Sequence, residues 1–314
     1  MRRLPALFTL GAALLLAPAA SARTQASPLG LFLHYGPSTL LNSPTQTQWI
    51  RDIWSTGYPQ VVSTFHANPA AVRQWVALAR AGGAKYITFT AKHHDGYTLW
   101  HTDAETDTAA GASNWTASKD EDVLAALAPA CRAAHLKLYV YFSLVDWYSH
   151  WYRVSSSDHF LPIVESQLTE ILTRYGPLAG IWFDGMWGRP DAFWHLDELI
   201  ALVHRLQPAA EVGVNRQPPG PGENFSIYES SFPLQHPLMT SEVTYPIAPQ
   251  WFYSTADTPR THAWVVALRA RAARLGVRLL LDVPPRADGS FNPAYVRALL
   301  GRPSSAGAGR PRHG

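Results

Sequence analysis

Five times along this 314-residue chain, an amphipathic segment runs into a near-continuous apolar run that ends in polar residues. "NPAAVRQWVALARAGG" places Asn68 to cap a helix, Pro69 at its first position and glycines at its end, and leads into "AKYITFTAKHHDG". "DEDVLAALAPACRAAH" leads into "LKLYVYFSLVDW", and "LPIVESQLTEILTRYGP" into "LAGIWFDG". "DAFWHLDELIALVHRLQP" precedes "EVGVNR", and "HAWVVALRARAARLG" precedes "VRLLLDVPP". With "GLFLHYG" at the start and a weaker "LMTSEVT" near residue 240, the sequence offers seven strands. Apolar strands separated by helices belong to a parallel sheet covered on both faces. The expected fold is α/β, a (β/α)8-like barrel with irregular or missing helices. The alternative is an open doubly wound sheet. That fold normally carries a glycine-rich phosphate turn after its first strand, and "LHYGPST" is not one.

Residues 1–22 read as an export signal: Arg2 and Arg3, a short apolar run from Ala6 to Leu16, then Ala20-Ser21-Ala22 as a small-residue cleavage site. That run is too short to span a bilayer, and no later segment has the ~20 uninterrupted apolar residues a spanning helix needs. A secreted or periplasmic protein beginning near Arg23 is expected. Residues 23–300 then form one barrel domain, a length such barrels commonly reach. Residues 301–314, rich in Pro, Gly and Arg, form a disordered tail. The formal charge of +3 lies in the ends: without the two arginines of the leader and the three of the tail, the body carries −2. A nearly neutral body lacks the basic stripe of a nucleic-acid binder. Cys131 is the only cysteine, so an intrachain disulfide and a multi-cysteine zinc site are excluded. It reads as buried on a helix rather than as a reactive thiol.

Polar residues collect where the strands end: His34, His93-His94-Asp95, Asp146, Asp184, Asn215-Arg216 and Glu242. In a barrel that rim is where sites are built. Asp184 is the sharpest case, because an apolar strand runs straight into a carboxylate flanked by Trp182, Phe183, Met186 and Trp187, and a buried charge needs compensation. One chemistry open to these residues is a metal site using His34, His93, His94 and Asp184. Against it, adjacent residues on a strand point to opposite faces, and no His-x-His or His-Glu-x-x-His spacing appears. The other is a glycosidase with two carboxylates, whose histidines and tryptophans contact sugar. Sugars pair hydroxyl rims with flat C–H faces, so they need directional donors beside aromatic walls. Twelve Trp and thirteen Tyr suit the second chemistry.

"GLFLHYG", "AGGAKYITFTAKHHDGYTLW", "YVYFSLVDW", "GIWFDG", "VNR" and "LLLDVPPRADG" resemble blocks that occur in this order in glycoside hydrolase family 29, the α-L-fucosidases. The resemblance covers roughly residues 29 to 290. It implies a barrel, no cofactor, no metal, a fucosylated oligosaccharide or glycoconjugate as partner, and a retaining mechanism with a carboxylate nucleophile and a second carboxyl as acid/base. By motif the nucleophile is Asp184 of "WFDG"; the bland alternative is a cap for a helix starting near residue 190. The acid/base falls on Glu229 of "NFSIYE", where the family's Asp-Phe-x-Thr-x-Glu has become Asn224, Ile227 and Glu229; Glu242 ranks second and Glu223 third. Sugar contacts implied by the resemblance are His34, Trp49, His93, His94, Tyr141, Trp182, Arg216 and Trp251, with barrel core as the alternative for Tyr141 and Trp182. Gln48 stands where the family often has Glu, which changes contacts to the sugar hydroxyls. Many members add a C-terminal β-sandwich, for which this chain leaves no room after its last helix. A non-catalytic sugar-binding protein on a degenerate barrel remains the competing function, and the uncertain glutamate is the feature that decides it.

Overall fold

The structure, a computed structural model, describes residues 27–104 and 115–301. The expected export signal and all of the expected tail after Gly301 lie outside the described residues. Eight parallel strands close into a barrel in chain order: β1 (Leu29–Leu33), β2 (Tyr86–Lys92), β3 (Lys137–Ser143), β4 (Gly180–Asp184), β5 (Glu211–Val214), β6 (Phe225–Glu229), β7 (Ser241–Pro246) and β8 (Arg278–Asp282). β8 returns to β1 through Leu29↔Leu279 to Phe32↔Asp282. The barrel replaces the open-sheet alternative, and it has one strand more than the sequence offered. The added strand is β6. It follows a Pro/Gly loop with no helix before it, so the helix-then-strand alternation passes over it.

Helices α1 (Gln46–Ile53), α2 (Tyr58–Thr64) and α3 (Val72–Ala81) join β1 to β2. α4 (Val123–Ala133) joins β2 to β3, and α5 (His150–Arg153) with α6 (Ser157–Arg174) joins β3 to β4. α7 (Asp191–Trp194) and α8 (Leu196–Leu206) lead to β5, α9 (His262–Leu275) precedes β8, and α10 (Pro293–Leu300) follows it. No helix lies between β5 and β6 or between β6 and β7, which is the irregularity expected of the fold. Asn68 accepts from the Ala70 amide and caps a 3₁₀ turn that runs on into α3. Cys131 is buried in α4, and burial pushes its thiol up to about 12, so it is an inert packing residue. Among the described residues no helix is long and apolar enough to cross a membrane.

Side chains alternate across each strand, and this alternation builds two cores. Ile181 and Phe183 of β4, with Val140 and Phe142 of β3, face the helices in the large outer core. Phe32, Tyr86, Tyr139, Tyr141, Trp182, Phe225, Ile227 and Leu280 fill the barrel interior. Rings this large fit because glycines face them: a Cβ on Gly213 would come within 2.3 Å of the Phe225 ring, and one on Gly30 within 2.2 Å of the Tyr86 ring. Gly213→Ala should therefore destabilise the barrel by about 1–3 kcal/mol through overpacking. The midpoint of urea unfolding should fall while the slope stays unchanged. An unchanged midpoint would show that Phe225 gives way freely.

Candidate active site

The alternation that fills the barrel also lays out its rim. Two residues beyond the inward-facing Phe32 comes His34, beyond Tyr141 comes Ser143, beyond Trp182 comes Asp184, beyond Gly213 comes Asn215, and beyond Ile227 comes Glu229. A cavity of about 630 Å³, counting its open mouth, lies over this rim, within the ordinary range of small-molecule sites (about 300–1,000 Å³). Its lining brings together His34, Trp49, His93, His94, Tyr141, Trp182, Asp184, Glu229 and Trp251, all anticipated above. Tyr141 and Trp182 belong to the barrel interior and line the cavity as well, with ring centroids 5.2 Å apart. The top layer of the interior is the floor of the site, so these residues are barrel core and cavity lining at once.

Asp184 is 8% exposed, and its charge is met by specific donors. The Gly185 amide donates to Oδ1 at 2.7 Å and Asn215 Nδ2 at 3.1 Å, while the Tyr141 hydroxyl donates to Oδ2 at 2.6 Å. It does not cap α7, whose N-cap is Pro190. Gly185 turns the chain away at φ 88°, and a Cβ there would approach Val145 Cγ2 to 2.7 Å; conformation and space both demand glycine. Of the neighbours that seemed to ring the carboxylate, Phe183 and Met186 pack in the outer core, and Trp187 stands 63% exposed at the rim.

Asn215 Nδ2 also donates to Glu229 Oε2 at 2.8 Å. One nitrogen thus touches both carboxyl groups, so their bonded oxygens lie no more than about 6 Å apart. That fits the direct-attack class of carboxyl pair (about 5–5.5 Å) rather than the class that leaves room for water (about 6.5–9.5 Å). Glu229 is open to solvent at the cavity mouth but walled by protein on its other sides. Burial raises its pKa above the usual glutamate value, with the Asp184 charge adding to the rise; hydrogen bonds from Asn215 and Trp251 oppose it.

The other two glutamates are placed elsewhere. Glu242 is sealed inside the barrel, accepting from Tyr86 at 2.6 Å and Trp182 Nε1 at 3.0 Å. Glu223 accepts from Arg216 Nε at 2.8 Å and from the Gly220 amide. Arg216 is the one expected sugar contact that does not line the cavity. β5 ends at Val214 with Asn215 facing inward, so the next residue turns outward to Glu223. Charge support for Asp184 comes instead from Asn215, Tyr141 and a backbone amide. Gln48 is likewise not among the lining residues; it pairs with Asp52 and Arg51, and Gln46 reaches the cavity instead.

Burial favours the neutral form of His93 and His94. β2 ends at Lys92, which frees His93 and His94 from strand alternation, and both line the cavity with centroids 4.2 Å apart. Strand geometry had argued against such a pairing. Burial lowers the pKa of each below the ordinary histidine value. The Ser143 hydroxyl donates to the Val145 carbonyl, so its oxygen accepts from His94 Nδ1 at 2.8 Å. The neutral ring then presents an Nε2 lone pair, 3.7 Å from Asp184 Oδ2. His93 stacks on Tyr141 with centroids 5.3 Å apart, and its buried Nδ1 has no protein partner. His34 Nδ1 lies 3.0 Å from Asp282 Oδ1, which fixes its orientation; burial pushes Asp282 up to about 6 against the pull of His34. Among the described residues no group of three or more His, Cys, Asp or Glu is arranged to hold a metal ion.

Asn215 had been seen only as part of a strand end and Trp187 only as a neighbour of Asp184, while Gln46, Thr244 and Phe252 had no role in the sequence reading, yet all line the cavity. Strand parity alone places Asn215, two residues past Gly213. The remaining four come from the first residue of α1, from the turn after β4, from the loop after β7 and from the weak strand β7 itself.

A protein-family model described as "Alpha-L-fucosidase" matches residues 19–302. The chain is similar to Alpha-L-fucosidase 1 of Arabidopsis thaliana, 27% identical over 88% of this chain and 57% of that one. Tissue alpha-L-fucosidase of Homo sapiens is 26% identical over 82% and 58% respectively. This chain thus spans a little more than half the length of these relatives. Among solved structures, alpha-L-fucosidase isoenzyme 1 from Paenibacillus thiaminolyticus superposes with a TM-score of 0.73 at 22% identity, covering 88% of this chain and 72% of that one. Alpha-L-fucosidase AlfC from Lactobacillus casei, in complex with α-L-fucose product, gives 0.72 at 21% identity over 88% and 94%.

Proposed function

The chain belongs to the alpha-L-fucosidase family, and from that membership we propose that it hydrolyses α-L-fucosides with retention, Asp184 acting as nucleophile and Glu229 as acid/base. The observation that carries the reading is the shared donor: Asn215 Nδ2 binds both carboxyl groups and keeps their bonded oxygens within about 6 Å, which supports direct attack. A degenerate, sugar-binding barrel would have lost one of the pair, whereas here both face the same cavity.

In the first step an ionised Asp184 oxygen attacks the anomeric carbon while Glu229 gives its proton to the departing oxygen. The glycosyl ester on Asp184 is neutral, and the negative charge now sits on Glu229. In the second step Glu229 takes a proton from water, the hydroxide attacks the anomeric carbon, and the Asp184 carboxylate leaves. The pair carries one negative charge throughout, and Asn215 Nδ2 touches both places where that charge resides. Trp49, Trp182 and Trp251 offer faces to the C–H side of the sugar, and His34, His93 and His94 offer ring nitrogens to its hydroxyls.

The test is incubation with an aryl α-L-fucoside, following phenol release and the anomer first formed by NMR. The α-anomer is expected; initial β-fucose would overturn retention, and binding without release would favour the sugar-binding reading. Because Glu229 must be protonated to act and its pKa is raised, kcat/KM should hold at high pH beyond the range of an ordinary glutamate. Asn215→Ala removes a donor that favours the ionised form, so it should move the alkaline limb further up. A limb that stays still or falls would detach Asn215 from Glu229.

A further inference from the structure

We propose that Trp54, braced from behind by the buried Trp147, forms a stacking shelf for a pyranose ring of the leaving glycan outside the cavity. The proposal rests on the fucosidase reading and extends it past the scissile bond. Trp54 follows α1 and keeps 52% of its surface in solvent. Exposed apolar surface beside a cleft marks a place where something docks. Its ring centroid lies 5.4 Å from that of Trp147, at 35°. Trp147 in turn lies 5.9 Å from Trp49 and 5.2 Å from His94, both of which line the cavity. Packed aromatic rings therefore connect the cavity wall to Trp54, with Trp147 buried between them and Trp54 alone presenting a face to solvent. Tyr148 donates its hydroxyl to the Ile53 carbonyl and ties the loop bearing Trp147 to the end of α1, which fixes the two indoles relative to each other.

Connectivity names the occupant. Whatever is bonded to the fucose anomeric oxygen must leave the cavity through its mouth, and Trp54 is the exposed indole joined through Trp147 to the cavity-lining Trp49 and His94. A pyranose has flat C–H faces for indoles and hydroxyl edges for polar groups. Gln46 lines the cavity, and exposed Arg51 and Ser55 lie on the same segment as Trp54. That mixture suits a glycan better than an acyl chain.

Trp54→Ala should separate two substrates: the fucosylated oligosaccharide that the unmodified protein cleaves fastest among different linkages, and α-L-fucosyl fluoride, whose leaving group is too small to reach the shelf. For the oligosaccharide kcat/KM should fall about 5- to 10-fold, the value of one lost stack, and Trp54→Phe should restore most of it. Fluoride hydrolysis should stay within about twofold. An equal fall on both substrates, or no fall on the oligosaccharide, overturns the shelf. Failure of the unmodified protein to hydrolyse the fluoride overturns the fucosidase reading, and the shelf with it.

Discussion

Replacing Asp184 by glycine is expected to lower kcat on an aryl α-L-fucoside by roughly 10⁴-fold or more, as loss of a covalent nucleophile does in other hydrolases. The fold should survive. The side chain faces the cavity, and its lost partners, the Tyr141 hydroxyl and Asn215 amide, still border cavity space that water can fill. An unchanged far-ultraviolet circular dichroism spectrum and a melting temperature close to the parent's would separate loss of chemistry from loss of structure. A small anion gives a sharper test. Azide in the vacated space attacks from the nucleophile's side, so added azide should restore turnover and yield β-L-fucosyl azide. Near-normal hydrolysis by the glycine variant without azide would remove Asp184 from its role.

The second large effect belongs to Glu229, and its size should depend on the leaving group. Glu229→Gln cannot donate a proton, so cleavage of a fucosylated oligosaccharide should slow by about 10²–10⁴-fold. A fucoside of an acidic phenol needs little help to depart, so the first step should persist while the second loses its base. The expected signature is a burst of phenol matching the enzyme concentration, then slow turnover. Glu242→Gln should show no such dependence on leaving group, because that carboxyl is held inside the barrel by Tyr86 and Trp182. If the burst appears in the Glu242 variant and not in the Glu229 variant, the assignment is reversed.

These contrasts follow what the sequence could and could not express. Asp184 was legible because three signals met at one residue: an apolar strand, a glycine forcing the chain to turn, and a motif. The barrel was legible because repeated helix-then-strand alternation has few other uses. Glu229 was harder to place because β6 is short, follows "PPGPGEN" and has no helix on either side. Arg216 was misplaced because motif position says nothing about strand parity: Asn215 takes the inward direction and sends its neighbour outward to Glu223. His93 and His94 were legible as a pair, but their shared direction was not, since it depends on the strand ending one residue earlier.

The two missing helices leave Asp184 and Glu229 on strands with unequal support. β4 is clamped along its length, from Tyr139↔Gly180 to Ser143↔Asp184 on one side and from Gly180↔Glu211 to Phe183↔Val214 on the other. β6 meets β5 through Gly213↔Phe225 and Val214↔Ser226 alone, is laddered to β7 from Ser226↔Ser241 to Glu229↔Thr244, and has loops rather than helices before and after it. Local opening starts where ladders are short and backing is thin. Asp184, the proposed nucleophile, therefore sits on a jaw held from both sides, and Glu229, the proposed proton carrier, on one held mainly from the β7 side. In the proposed mechanism the anomeric carbon would move against one fixed reference point, Asp184, with the more compliant support on the Glu229 side.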